Sequence, residues 1–321
     1  MQMQINSIKS IACAKSRDLG NGCSKRKTIS RYFTPNKLSG FVLSIVRGVI
    51  VLGLCFIILY PFLIKIINAF KGYNDFYDPT VRFIPKDFTI KNIVTVIEKM
   101  QYWTALRNTA FISITSAILQ TLVCASVGYG FARFKFKGNG ILFALSIFTL
   151  MVPPQTIIIP IFLRFRFFLG LSSLNLIDTP FPMIIMAATC MGLKNGLFVF
   201  LFRQLFKNMP KELEEAAYLD GCGVFKTYTK VMLPEAGSML LTVFLLSFSW
   251  QWTDTVYNSL IFRDYPMLSN HVLSVGTGEI WPYAPNYVSI ASLLAIIPIA
   301  LVYAIAQKSF VQSVSRSGIV G

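Results

Sequence analysis

The chain is poor in charge and nearly devoid of histidine. Of its 321 residues, 14% are Asp, Glu, Lys or Arg, and His271 is the one histidine. An ordinary soluble domain carries about 25% charged residues. With so few ionisable groups, a water-facing surface for a chain of this length is not encoded, and the main solvent is expected to be lipid. One histidine excludes an HExxH metal helix, and none of the cysteines, Cys13, Cys23, Cys55, Cys124, Cys190 and Cys222, is paired as CxxC. A structural zinc site is therefore not expected, nor a disulfide framework. Cys55, Cys124 and Cys190 sit in apolar stretches, where a thiol acts as a small hydrophobe. No GxxxxGK[ST] pattern occurs, so no phosphate-cradling loop is present, and the scattered acids offer no clustered catalytic groups. The expectation is a protein that is not an enzyme, with no cofactor in this chain.

What the chain has in abundance is apolar surface: 54% of residues are hydrophobic, and the mean hydropathy is +0.59. The net charge is +16. The basic residues lie in short segments between apolar runs, as orientation signals do in a membrane protein, and not along one face that could bind nucleic acid.

Residues 1–40 are polar and basic, with Lys9, Lys15, Arg17, Lys25, Arg26, Lys27, Arg31 and Lys37 against Asp18. They read as a cytoplasmic N-terminal arm, and residues 41–321 as the transmembrane domain. Six apolar stretches follow: about Ile45–Phe70, Leu106–Gly130, Ile141–Leu163 broken by Pro153-Pro154, Phe181–Phe202 interrupted by Lys194-Asn195, Gly237–Ile261 and Val288–Ala306. Each is long enough to cross roughly 30 Å of hydrocarbon as a helix, and lipid leaves the backbone no other solution for a single segment. The expected fold is an all-α membrane protein with six transmembrane helices. The basic arm, the acid-free turn holding Arg133, Lys135 and Lys137, and the tail with Lys308 and Arg316 all fit a cytoplasmic side. Both termini are then inside, residues 71–104 outside, and the loop 203–236 inside.

That last loop is too polar to enter a bilayer. Pro210 can open a helix, Glu212, Glu214 and Glu215 crowd its first turn where the dipole favours anions, and Gly221 and Gly223 permit a sharp exit. A second amphipathic stretch ends at Leu233-Pro234. Small Ala216 and Ala217 leave room for a partner, although an ordinary connecting loop has the same local physics.

The spacing Glu215-Ala216-Ala217, three residues, Gly221, nine residues, Val231-x-Leu233-Pro234 resembles the EAA loop of binding-protein-dependent ABC importer permeases, with Val where Ile is usual. Further stretches are similar to the maltose/oligosaccharide type: Leu106-Arg-Asn108 leading to Tyr129-Gly-Phe-Ala-Arg133-Phe-Lys135, Leu150-Met-Val-Pro153-Pro154-Gln155, Trp250-Gln-Trp252-Thr-Asp254, and the tail Ser317–Gly321. The chain departs at Val320 and Thr253, where the family often has Lys and Asn. The resemblance covers about residues 45–321. It implies a permease subunit in a bacterial-type inner membrane, paired with a second homologous permease, two copies of a cytoplasmic ATPase that carry ATP and Mg, and an extracytoplasmic solute-binding protein. It further implies that the EAA loop is a coupling helix between helices 4 and 5. Glu215 and Asp220 would then contact the ATPase beside Ala216 and Ala217, Gly221 would be conformational, and Leu233 and Pro234 would complete the motif.

Polar groups inside the spans are candidates for the translocation path: Lys194, Asn195, Gln155 and Asp254, with Gln120 a weaker case, and Trp250 and Trp252 as rings able to stack on sugar faces. Snorkelling, interhelical hydrogen bonding and interface anchoring explain the same residues. Pro153-Pro154 reads equally as a hinge or as a static kink. A permease for a non-carbohydrate solute remains open, and so does a secondary transporter, although no internal half-repeats are visible.

Overall fold

The computed structural model describes residues 35–72, 74–76, 78–170, 174–277 and 283–317. The expected arm up to residue 34 and the tail from Gly318 lie outside the described residues. Everything described is helix, turn or loop, apart from an isolated bridge between Lys71 and Phe88.

The chain divides at Pro61 into two units. The described part of the first is helical from Pro35, ahead of the start expected near Ile45, and belongs to α1 (Pro35–Ala69). Its apolar side chains, such as Leu52, Ile57 and Ile58, are exposed.

The second unit begins with the last turns of α1. A loop follows whose ends are pinned by Gly72 N–H donating to the Asp87 carbonyl and Thr89 N–H to that of Phe70. Buried Asp75 accepts the backbone N–H groups of Lys86 and Asp87, and Lys71 donates its ammonium to the Val81 carbonyl. Then come α2 (Lys91–Lys99), α3 (Tyr102–Arg133), α4 (Asn139–Phe148), α5 (Pro154–Arg166), α6 (Phe181–Ala188) and α7 (Asn195–Asn208). The remainder comprises α8 (Glu212–Leu219), α9 (Val224–Thr227), a π-helical turn (Tyr228–Met232), α10 (Leu233–Glu235), α11 (Gly237–Thr253), α12 (Val256–Ile261), α13 (Leu268–Ser274) and α14 (Tyr283–Ser317).

α3 is the hub, packing against α6, α7 and α11. Its buried stripe is Ala105, Thr109, Ile112, Ser116, Gln120, Cys124 and Gly128, spaced by three or four residues and mostly small. Its large apolar residues Phe111, Ile114, Ile118 and Leu122 are exposed. A water-soluble helix does the reverse. In lipid, apolar bulk outside costs nothing, and small residues inside allow backbones to approach closely. Gly128 marks the closest approach: a Cβ there would sit 2.6 Å from the Phe202 Cβ and 3.0 Å from the Arg203 nitrogen.

Among the described residues, three helical segments are long and apolar enough to cross a membrane unbroken: Leu43–Ala69, Tyr102–Arg133 and Ala284–Gln307. A fourth crossing results if Val224–Glu235 and Gly237–Thr253, bent by 78°, count together. The third and fourth apolar stretches of the sequence are each split. α4 ends at Phe148, and α5 restarts at Pro154, because Pro153 has no N–H to donate and drives its predecessor out of the helical region. α6 and α7 are separated by a turn in which Cys190 (φ 58°) and Lys194 (φ 59°) adopt left-handed backbone, with Met191 N–H donating back to the Met186 carbonyl. At 1.5 Å per residue, no half of either pair spans the hydrocarbon alone.

Candidate functional site

The polar loop between α7 and α11 folds as two faces. The inner face is tied to the end of α3. Glu214, in the first turn of α8, is buried; its Oε1 accepts the Tyr129 hydroxyl at 2.8 Å, and its Oε2 pairs with Arg133 Nε at 3.3 Å. Arg133 Nη2 also donates to the Met209 carbonyl at 2.9 Å, holding the chain as it leaves α7. Ser126 and Tyr228 share a hydrogen bond of 3.1 Å between hydroxyls, and the rings of Tyr129 and Tyr228 lie 4.9 Å apart. Ala217 faces inward with Glu214, as a three-residue helical step requires. α8 is thus tied to α3 through the Glu214 ion pair and hydrogen bond, and the π-helical turn that follows through Tyr228.

The outer face is open. Glu215, Ala216, Asp220 and Gly221 are exposed, and beside them Leu219 is 89% and Phe225 79% exposed. The exit from α8 is a Schellman turn. Cys222 N–H donates to the Ala217 carbonyl and Gly221 N–H to that of Tyr218, with Gly221 left-handed at φ 77°. A Cβ on Gly221 would meet nothing within 4 Å, so the glycine is there for its backbone and not for space. Leu233 is half-buried against the core around Phe202 and Phe206, while Pro234 is exposed in the first turn of α10.

A second feature forms where the two broken stretches meet. A cavity of about 220 Å³ lies between them, its wall including Val152 and Pro154 at one break, Cys190, Gly192 and Lys194 at the other, and Tyr257 of α12. Lys194 is exposed, and no ion pair reaches it among the described residues. Asn195 also borders the cavity and is buried, and its Nδ2 has no hydrogen-bond partner among the described residues. Its Oδ1 accepts Gln120 Nε2, which also reaches the Leu193 carbonyl, while Ser247 of α11 donates to Gln120 Oε1 at 2.5 Å. This polar node ties α3, α11 and the α6–α7 turn together.

The other path candidates separate. Gln155 is exposed in the first turn of α5. Trp250 is half-buried with its ring on Phe198, centroids 5.5 Å apart. Trp252 is buried, and its indole N–H donates to the Ala295 carbonyl at 3.0 Å. Asp254 accepts the N–H groups of Tyr257 and Asn258 and so caps α12. Trp252 and Asp254 thus serve the fold, and none of Gln155, Trp250, Trp252 and Asp254 is among the residues lining the cavity.

Comparison with known proteins decides the family. The model of the binding-protein-dependent transport system inner membrane component matches residues 122–316, which holds α8 and both broken stretches. The chain belongs to this family. It is similar to the arabinooligosaccharides transport system permease protein AraQ of Halalkalibacterium halodurans, 28% identical over 274 residues, covering 84% of this chain and 93% of that protein. It is similar also to the probable starch degradation products transport system permease protein AmyC of Thermoanaerobacterium thermosulfurigenes, 27% identical over 259 residues, covering 79% and 89%. Among solved structures, a chain of a bacterial ABC transporter involved in the import of the acidic polysaccharide alginate superposes with a TM-score of 0.69, at 21% identity, covering 87% of this chain and 99% of that one. The shared architecture is that of an ABC importer permease, a multi-pass inner-membrane protein.

The resemblance drew attention to Glu215, yet within this family member the acid that holds the loop to the membrane helices is Glu214. Its signal was present: Glu214 and Ala217 share a helix face, and Tyr129 and Arg133 are one turn apart at the end of a span. Nothing in a single sequence says that these two pairs meet.

Proposed function

We propose that this chain is the translocation subunit of an ATP-driven, binding-protein-dependent importer for a sugar or oligosaccharide, with α8 as its coupling helix. The observation that carries the reading is the two-faced loop: an inner face locked to α3 through Glu214, Tyr129 and Arg133, and an outer face on which Glu215, Ala216, Asp220, Leu219 and Phe225 lie open. A cytoplasmic ATPase subunit, two copies of which would carry ATP and Mg, fits that outer face, because apolar knobs flanked by acids suit a cleft with a basic rim. Its closure would move α8, and α8 would move α3 as a rigid body, shifting the packed helices between two discrete arrangements. A second homologous permease completes the pore, and an extracytoplasmic solute-binding protein delivers the solute.

In this reading the broken pairs α4–α5 and α6–α7 each count as one crossing. With α1, α3, α11 and α14 they make six, and both termini are cytoplasmic. The cavity between the breaks is the part of the translocation path this subunit contributes, with Lys194 and Asn195 the path candidates that line it. The sugar class rests on the permeases for arabinooligosaccharides and starch degradation products to which the chain is similar.

The test is site-directed cross-linking. Leu219→Cys should cross-link to the co-purified ATPase subunit, with yield changing on ATP binding, while Ala217→Cys, on the inner face, should not. Equal cross-linking from both positions, or from neither, contradicts a docked α8. Uptake that persists without any ATPase subunit, driven by an ion gradient, would favour a secondary transporter.

A further inference from the structure

We propose that the turn between α3 and α4 holds the headgroup of an anionic phospholipid. The sequence has no acid between Glu98 and Asp178, and the end of α3 lies within that stretch. Lys135 and Lys137 project from the turn exposed, and Arg203 of α7 closes the same shallow pocket with Phe131 and Asn139. The nearby Arg133 is already neutralised by Glu214, so it does not compete for a ligand.

The pocket has a built floor. The Arg203 guanidinium lies over the Phe143 ring at 4.0 Å, and Phe143 in turn packs on Phe131 and Phe200. Buried Arg203 Nε has no hydrogen-bond partner among the described residues, so no acceptor of the chain neutralises this guanidinium. Asn139 Nδ2 donates to the Phe134 carbonyl at 2.8 Å, and Gly138 is left-handed at φ 89°; together they fix the turn. α4 starts at Asn139 without a side-chain cap, so its first N–H groups add positive potential to the same pocket.

A lipid, more than a free anion, fits what surrounds the cations. Phe134 and Phe136 are each 44% exposed beside the lysines, and exposed rings next to cations are the pattern that anchors a segment to a headgroup layer. Leading away along α4, Ile141, Leu145 and Phe148 form an exposed apolar strip on one helix face. An acyl chain can lie along that strip while its phosphodiester sits among Lys135, Lys137 and Arg203. The inference requires only that α3 and α4 reach a membrane surface, so it stands or falls apart from the transport reading.

The experiment purifies the full chain with its co-purifying partners in detergent and counts retained phospholipid per chain by mass spectrometry. It is done after exchange into mixed phosphatidylcholine and phosphatidylglycerol. Wild type should retain phosphatidylglycerol selectively, the retention should fall with added salt, and millimolar inorganic phosphate should not displace it. Lys135→Gln with Lys137→Gln should lower selective retention at least about tenfold, and Lys135→Arg with Lys137→Arg should preserve it. Equal retention of both lipids, no effect of the double glutamine change, or displacement by inorganic phosphate would overturn the proposal, the last by showing a free-anion site. A protein subunit covering the turn would also overturn it, and would appear as protection of Lys135 and Lys137 from amine-reactive labels in the lipid-free complex.

Discussion

Glu214 is the residue on which the loop depends. Its carboxylate and the Arg133 guanidinium are 11% and 8% exposed, and removing one partner of a buried pair leaves the other uncompensated, at a cost of roughly 3 kcal/mol. Glu214→Ala should therefore lower the thermal midpoint of the purified complex well below that of wild type. Tyr129→Phe, which removes one hydrogen bond to a charged acceptor, should cost about 2 kcal/mol and lower the midpoint less. Gly221→Ala should cost about 1 kcal/mol through its left-handed backbone, whereas Gly221→Pro also forbids that φ and deletes the N–H given to Tyr218. The single histidine makes a pH prediction. Burial lowers the pKa of His271 from its ordinary 6.5, against the hydrogen bond it gives to the Met100 carbonyl. The folded state thus favours neutral imidazole. Its contribution is complete above the unfolded pKa of about 6.5 and is lost as pH falls below that value toward the lower folded one. Thermal midpoints at pH 7.5 and pH 5 should differ less in His271→Gln than in wild type. At this scale the sequence was legible for residue types but not for partners: it marked the acids of α8 and the polar residues of the spans. Which of Glu212, Glu214 and Glu215 turns inward, and that Trp252 is spent on a backbone carbonyl, are set by neighbours far along the chain, whereas Asp254 caps N–H groups only three and four residues on.

Among the elements, α3 and α8 carry the argument. α3 was readable as a span from its apolar length, and its small-residue face is what allows α7 to pack against it. Gly128→Leu should separate α3 from α7, because even a Cβ would meet backbone and side-chain atoms of Phe202 and Arg203. The expected result is loss of folded protein from the membrane fraction, measured by detergent-extracted yield on size-exclusion chromatography. The limits of α8 were legible because Pro210, the acids and Gly221 act locally. The split stretches were legible only in part. Pro153-Pro154 announces a break by its missing N–H, but Lys194-Asn195 gave only an interruption. The left-handed residues at Cys190 and Lys194, and the meeting of the two breaks around one cavity, depend on tertiary packing. Filling that cavity tests its role: Ile157 of α5 also lines it, and Ile157→Trp should reduce the maximal uptake rate with little change in folded yield.

For the whole molecule, membership of the inner membrane component family and the fold shared with an ABC importer permease agree with an architecture in which apolar bulk points outward and small polar groups lie within. The proposed function joins that architecture to energy supply: α8 would transmit the motion of an ATPase to the helices that carry solute. The most direct measurement is uptake of a panel of labelled mono- and oligosaccharides by cells producing wild type, Gly221→Pro or Glu215→Lys, with membrane levels matched and ATPase activity recorded on the purified complexes. The account predicts that uptake of one sugar class collapses in both variants while solute capture by the binding protein is unchanged, and that ATP hydrolysis no longer responds to solute. Uptake of every sugar that is equal in wild type and variants would contradict it.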